Sequence, residues 1–343
     1  MSTSRRDVLV GLATASALAL SPRISPAQAA EDWAKIEEAA KKEGQLVYYC
    51  PQGPVPQEWT KQFQSRFGIR VDLLQATPTE WRERIRSEQA AGRFIADVAT
   101  SGSGTQTNMT LAGQFQSFGA LPLASRVESP FKERNVDDRL VIVGANPFGM
   151  LVNTNMVPEA ERPKRWSDLL DAKWKGRILA DDMRRDGGGY SFFGVMLDNF
   201  GPEFHRKLAK QDLIFTNNPT VQYRRIAAGE YPIYLPMSPT NLVPLMGLPV
   251  AVVMPEEGVS AAMTGAGMLK NAPHPNAARL FLNWLLTDEA QMIVVNTGSM
   301  SAISAINAKA PEGMRHLLQA KVLGSVVPDR MADQMKLAGE IYK

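Results

Sequence analysis

Apolar and polar positions alternate between two rhythms along the first hundred residues of the working chain. Trp33, Ile36, Ala39 and Ala40 fall at helical spacing among Glu and Lys, so a helix is predicted over 32–42, ended by Gly44. Gln45-Leu46-Val47-Tyr48-Tyr49-Cys50 reads as a buried strand halted by Pro51 and Gly53. Trp59, Phe63 and Phe67 recur every four residues before Gly68, which predicts a second helix with one aromatic face. A strand follows at 69–74, a helix at 80–91 closed by Gly92, and a strand at 95–99 that enters a glycine-rich loop. Strand, helix, strand in this succession predicts a parallel sheet with helices on both faces.

The second half repeats the alternation less regularly. Leu140-Val141-Ile142-Val143 and Gly149-Met150-Leu151-Val152 read as two strands straddling Asn146-Pro147. Ile178-Leu179-Ala180-Asp181-Asp182 is a strand that runs into Gly187-Gly188-Gly189, with a helix predicted from Tyr190 to Phe200. Later strands are expected at 233–235 and 250–253, and a strongly apolar helix at 276–286. No internal repeat or low-complexity tract is present.

The amino terminus obeys a different rule. Ser4-Arg5-Arg6 precedes an uncharged run from Val8 to Leu20, and Ala27-Gln28-Ala29 supplies the small residues of a cleavage site. Residues 1–29 therefore read as a secretory leader. The arginine pair favours the twin-arginine route, with Sec export as the alternative, since Asp7-Val8-Leu9 matches the twin-arginine pattern only in part. The run is shorter than the ~20 residues that span a bilayer, and no later segment is long and apolar enough. The expected location is the periplasm.

Cleavage would lower the formal charge from +3 to +1, because Arg5, Arg6 and Arg23 leave with Asp7. Near neutrality with scattered basic residues gives no footprint for nucleic acid or an anionic membrane. The remaining 314 residues exceed what one core usually serves, so two lobes are expected. Cys50 is the only cysteine, which excludes an intramolecular disulfide. His205, His274 and His316 lie far apart, without metal-ligand spacing, so neither a metal nor a cofactor is predicted.

Several landmarks, in order, resemble the periplasmic solute-binding proteins of ABC importers, in the class that includes iron(III)-binding and phosphorylated-solute-binding members. They are Leu46-Val47-Tyr48-Tyr49, Phe67-Gly68-Ile69-Arg70-Val71, Ala96-Asp97-Val98 and Gly149-Met150-Leu151-Val152-Asn153-Thr154. Pro163-Lys164-Arg165-Trp166-Ser167-Asp168-Leu169, Lys173-Trp174-Lys175-Gly176-Arg177-Ile178, Pro255-Glu256-Glu257-Gly258 and the helix ending in Thr287-Asp288-Glu289-Ala290-Gln291 complete the series. The resemblance implies an α/β fold of periplasmic-binding-protein type II. It has two lobes, each a mainly parallel sheet flanked by helices, joined by two crossing strands. By that likeness, lobe one takes 30–144 and 249–297, and lobe two takes 145–248 and 298–343. It implies a monomer that closes on a small solute and delivers it to an ABC permease, without catalysis.

Candidate solute-binding residues follow from chemistry within that frame. Ser101-Gly102-Ser103-Gly104-Thr105 ends a strand and opens a helix, where backbone N–H groups and hydroxyls can approach an anion, so Ser101 and Ser103 are candidates. The segment lacks the third glycine of a dinucleotide fingerprint. Asp181 to Tyr190 offers the same strand-loop-helix order in lobe two. There Gly188 and Gly189 free the backbone, Arg184 is a candidate anion contact, Asp182 a candidate for an amine, and Tyr190 opens the helix. The competing reading pairs Arg184 and Arg185 with Asp181, Asp182 and Asp186 on a solvated loop. Tyr49 occupies a position that often contacts solute in the family the chain resembles. Cys50 beside it reads as a small buried thiol.

Iron(III)-binding relatives carry an adjacent tyrosine pair where this chain has Pro236-Met237-Ser238-Pro239-Thr240. Ser238 and Thr240 instead read as hydroxyl donors to an organic solute. A small carboxylated or phosphorylated anion is thus the expected cargo, with iron(III) as the alternative. A periplasmic enzyme is the reading from another class, and no paired-cysteine, spaced-histidine or nucleophile-elbow motif supports it.

Overall fold

A computed structural model describes residues 26–136, 138–216 and 218–343, with side chains from Trp33 onward except that of Ser103. The predicted leader lies outside the described residues, apart from its last four, which fall in the first helix. In the first half, α1 (Pro26–Glu43), β1 (Gln45–Cys50), α2 (Pro54–Phe67), β2 (Arg70–Gln75) and α3 (Pro78–Ala90) alternate as the sequence predicts. Then come β3 (Val98–Gly102), α4 (Ser103–Leu111), β4 (Phe115–Gln116) and β5 (Val141–Asn153). The second half holds β6 (Ile178–Asp181), α5 (Gly188–Ala209), β7 (Ile214–Thr216), α6 (Pro219–Ala227) and β8 (Ile233–Met237). Strands β9 (Val250–Val253) and β10 (Val259–Leu269) lead to α7 (Pro275–Trp284) and α8 (Asp288–Asn296). The chain ends with β11 (Met300–Ser301), α9 (Ser304–Asn307), α10 (Glu312–Leu318), β12 (Val322–Gly324) and α11 (Met331–Ile341).

The strands run in the order β2-β1-β3-β10-β5-β8-β6-β7. β2, β1 and β3 are parallel, as are β6, β7 and β8, while β10 and β5 pair antiparallel between the two groups. The two strands expected around Asn146-Pro147 are one strand, β5. Its first part pairs with β10 and its last part with β8 and β9. Apolar residues on both sides of the Asn-Pro step keep the backbone extended while it passes from one group of strands to the other. The chain crosses back through β9 and β10.

Each group of strands has its own core. Tyr48, Phe63, Phe281 and Trp284 anchor the first, with Phe63 edge-on to Phe281 at 5.0 Å. Trp166, Phe192, Ile178 and Tyr342 belong to the second. The expected boundary at 298 needs correction, because Met300, Ala302, Ile303 and Ile306 are buried in the first core and β11 pairs with β5 at Ala145. Those apolar side chains hold the segment on lobe one, and the chain passes to lobe two from about Leu317, with Ala320, Leu323 and Val326 packed against the second core before Ala338 and Tyr342 are buried in it. His205 lies fully buried in this second half, its Nδ1 2.9 Å from the Tyr342 hydroxyl and its Nε2 3.0 Å from the Phe193 carbonyl.

A candidate solute-binding cleft

The carboxyl ends of parallel strands are where open α/β sheets leave room for ligands. Here a cleft of about 600 Å³ opens beside the ends of β1 and β3, where β5 crosses. Its first wall is the turn Pro51 to Pro56, which opens α2, together with Thr100, Ser101 and Gly102 at the end of β3. Asn146 of β5, Met263 and Thr264 of β10, and Thr297 and Ser299 after α8 form the floor and side. Lobe two contributes Thr240 and Asn241 from the turn after β8. None of the described lining residues bears a charged side chain.

The polar groups differ in how free they are. The Thr100 hydroxyl is 2.6 Å from the Tyr48 hydroxyl, the Ser299 Oγ donates to Asn146 Oδ1 at 2.8 Å, and Asn241 Nδ2 donates to the Tyr223 hydroxyl at 3.3 Å. Thr240 Oγ1 is 2.9 Å from Ser238 Oγ. Ser101 is 2 % exposed, and its Oγ has no partner among the described residues. Other buried side-chain polar atoms among the described residues, Ser191 Oγ and Ser260 Oγ among them, also lack a protein partner, and of these Ser101 is the one that lines the cleft. It lies two residues before the first turn of α4, whose cap residue Gly102 offers no side chain to satisfy the leading N–H groups. At α2, by contrast, prolines at positions 54 and 56 remove two of those donors.

The sequence candidates divide accordingly. Ser101 and Thr240 line the cleft, Ser103 opens α4 beside it, and Ser238 stands behind Thr240. Tyr49, Asp182, Arg184, Gly188, Gly189 and Tyr190 do not line it. The Tyr49 hydroxyl donates to Glu88 Oε1 at 3.2 Å, and burial, with Glu88 adding to it, pushes its pKa up to about 12. Side chains alternate along a strand, so Tyr48 meets the first core and Tyr49 the opposite sheet face. Tyr190 is buried with its hydroxyl 3.0 Å from Gln334 Oε1, and burial pushes it also to about 12. Arg184 is held on Asp182 at 2.7 Å, stacks over Phe215 and donates to the Tyr342 carbonyl. Burial works to raise the Asp182 pKa, and the bonds from Arg184 outweigh it and hold the carboxyl below its usual range. Cys50 is fully buried, and burial raises its thiol to about 12, which removes the thiolate a nucleophile needs.

The glycine turn before α5 has a packing explanation. A Cβ on Gly189 would meet the Asp181 and Asp182 carbonyl oxygens at 2.7 Å, and one on Gly188 would meet Asp181 Oδ2 at 2.9 Å. The glycines let α5 start against the end of β6, and the chain's own carboxylate stands at the helix terminus. Asn146, Asn241, Thr264 and Ser299 were missed by sequence reasoning. The only local signal was Asn146-Pro147, a polar step inside an apolar strand. The turn at Pro51-Gln52-Gly53-Pro54, whose Pro51 and Gly53 mark the end of β1 in the sequence, forms a wall of the cleft. Trp59, on the aromatic face predicted for α2, is 3 % exposed and donates to the Ala290 carbonyl at 2.9 Å, yet also lines the cleft.

Two cores, a shared crossing strand and a cleft at the carboxyl ends of the strands describe a two-lobed type II periplasmic binding protein. The model of the bacterial extracellular solute-binding protein family matches residues 95–321, and the chain belongs to that family. Iron uptake protein A2 of Synechocystis is 30% identical over 245 residues, covering 64% of this chain and 68% of that protein. Among solved structures, apo FutA2 from Synechocystis superposes with a TM-score of 0.72 at 21% identity, covering 87% of this chain and 99% of its own. AfuA from Actinobacillus pleuropneumoniae, bound to fructose-6-phosphate, gives 0.64 at 20% identity, covering 87% and 98%. The protein is thus a substrate-binding protein of the ABC-importer kind, which places its work outside the cytoplasmic membrane.

Proposed function

We propose that the protein captures a small organic anion, a carboxylate in preference to a phosphate, and passes it to an ABC permease after the lobes close. The observation that carries this reading is the buried, unpartnered Ser101 hydroxyl beside the uncapped amino terminus of α4. Helix N–H groups and their aligned dipoles favour an anion there. A phosphate carries up to two charges. With no cationic side chain in the lining, a single carboxylate charge is the better match to N–H and hydroxyl donors alone. The apolar part of the cleft, including Val143, Met263 and Val294, suits a short hydrocarbon body. We also propose that residues 1–29 direct export by the twin-arginine route, on the strength of Arg5-Arg6.

A thermal-shift screen of carboxylates, sugar phosphates and ferric citrate tests the cargo. A ligand specific to the folded state adds ~2.7 kcal/mol at one hundred times its dissociation constant. Carboxylates should raise the midpoint, and Ser101→Ala should weaken their binding about tenfold, the loss of ~1.4 kcal/mol expected for one buried hydrogen bond. A shift with sugar phosphates alone would reject the preference.

The iron-uptake relative favours ferric iron as a second reading. Phenolate ligands would have to come from tyrosines held in their protonated form. Tyr223 is pushed to about 12 by burial and Asp181, and Tyr234 lies higher still for the same reasons. Iron loading that produces a visible phenolate-to-iron band would establish this second reading over the first.

A further inference from the structure

In lobe two, the end of β6 next to the strand whose turn enters the cleft carries a carboxylate with no cationic side chain bonded to it. β6 and β8 run parallel with Ala180 opposite Leu235, so Asp181 comes to the same edge as Pro236 to Ser238, just before the turn that puts Thr240 and Asn241 into the cleft. The Tyr234 hydroxyl donates to Asp181 Oδ1 at 2.6 Å. The Tyr223 ring packs edge-on against Tyr234 at 5.2 Å, and its hydroxyl accepts from cleft-lining Asn241. Asp181 Oδ2 has no hydrogen-bond or ion-pair partner among the described residues and lies against Gly188, a glycine that also faces Phe148, two residues along β5 from cleft-lining Asn146. Both nearby arginines, Arg184 and Arg185, are committed to Asp182.

A half-buried carboxylate whose free oxygen has the α5 terminus beside it but no cationic side chain can take a further contact from a cation. We infer that the solute carries an ammonium group apart from its carboxylate, and that Asp181 is the specificity residue that receives this group from lobe two. The inference rests on the carboxylate reading above. Lobe one then supplies donors to one end of an amino-bearing acid and lobe two an acceptor to the other, so both lobes gain contacts only when closed on it. Burial raises the Asp181 pKa to about 6, which leaves it mainly ionised at pH 7.5.

Calorimetric titration at pH 7.5 with straight-chain carboxylates of three to six carbons, each plain, terminally hydroxylated or terminally aminated, tests the inference. The amino member of the best length should bind at least tenfold more tightly than its plain counterpart. Asp181→Asn should lower it to the plain level and leave the plain acid unchanged. Tyr234→Phe, which removes a neighbour while keeping the charge, should retain the preference. Equal affinity for plain and amino acids would overturn the inference, as would a hydroxy acid binding as tightly as the amino acid. Equal weakening of every ligand by Asp181→Asn, or loss of the preference in Tyr234→Phe, would also overturn it by making Asp181 a structural residue. If no carboxylate binds the unmodified protein while fructose-6-phosphate or ferric citrate does, the carboxylate reading itself fails, and this inference falls with it.

Discussion

The two strand-loop-helix units, β3 into α4 at the cleft and β6 into α5 in lobe two, look alike in sequence and do opposite things. Both end a strand, pass through glycine and begin a helix. At α4 the helix terminus is uncapped, Ser101 is unpaired, and a Cβ on Gly102 would meet nothing within 4 Å. At α5 the corresponding space is filled by Asp181 and by the backbone of Asp182. Glycine leaves open space in the first unit and makes room for the protein in the second. A glycine turn before a helix therefore reports a close approach, and what approaches is decided by residues elsewhere in the chain.

The sharpest way to break this comparison is Gly189→Ala. A methyl group pressed to 2.7 Å from backbone oxygens has no flexible neighbour to displace, and overpacking of this kind costs about 3 kcal/mol. Chemical denaturation should register that loss, and calorimetry should find the affinity of the surviving folded protein for a plain carboxylate, which does not engage Asp181, within about twofold of the original. A tolerated Gly189→Ala with abolished binding would make lobe two's turn a ligand cradle after all.

Acid should sharpen the difference between the lobes. Burial lowers the His205 pKa from 6.5 to about 4 in the folded protein. The unfolded chain therefore binds the proton first, so the stabilisation is fully present above pH 6.5 and is lost as pH falls toward 4. Between pH 7.5 and 5 the loss is about 2 kcal/mol for this one group. His205→Gln should be less stable throughout but should show a flatter profile over that interval. An unchanged profile in the variant would remove His205 as the source.

The fold was largely legible because apolar spacing is a local property. Trp59, Phe63 and Phe67 announce α2, and the run 45–50 announces β1, without reference to anything distant. The lining of the candidate cleft was legible only where local chemistry and topology coincide, as at Ser101. Tyr49 was a poor guide because the face a strand residue meets depends on neighbours far along the chain, here Glu88. Arg184 was ambiguous because its partner could be a ligand or Asp182, and the choice depends on Phe215 and the Tyr342 carbonyl, which also hold the guanidinium. The segment 300–310 was assigned to the wrong side because its apolar residues fit either core, and only the pairing of β11 with Ala145 decides between them.

The smallest expected change in stability gives the most direct test of lobe one. Gly102 has φ −54 and ψ 138, a conformation open to alanine. Gly102→Ala removes chain freedom from the unfolded state, which favours folding by roughly 0.4–1 kcal/mol, and puts a weaker cap on α4, which opposes it. The two effects nearly cancel, so the melting point should move by no more than about 2 °C. The added methyl group stands in the cleft, at the amino terminus where an anion would approach N–H groups closely, so binding should fall at least tenfold. Gly189→Ala and Gly102→Ala thus exchange their effects, one on stability and one on affinity. If Gly102→Ala leaves affinity untouched, the solute does not approach the α4 terminus, and the unpaired Ser101 hydroxyl belongs to packing.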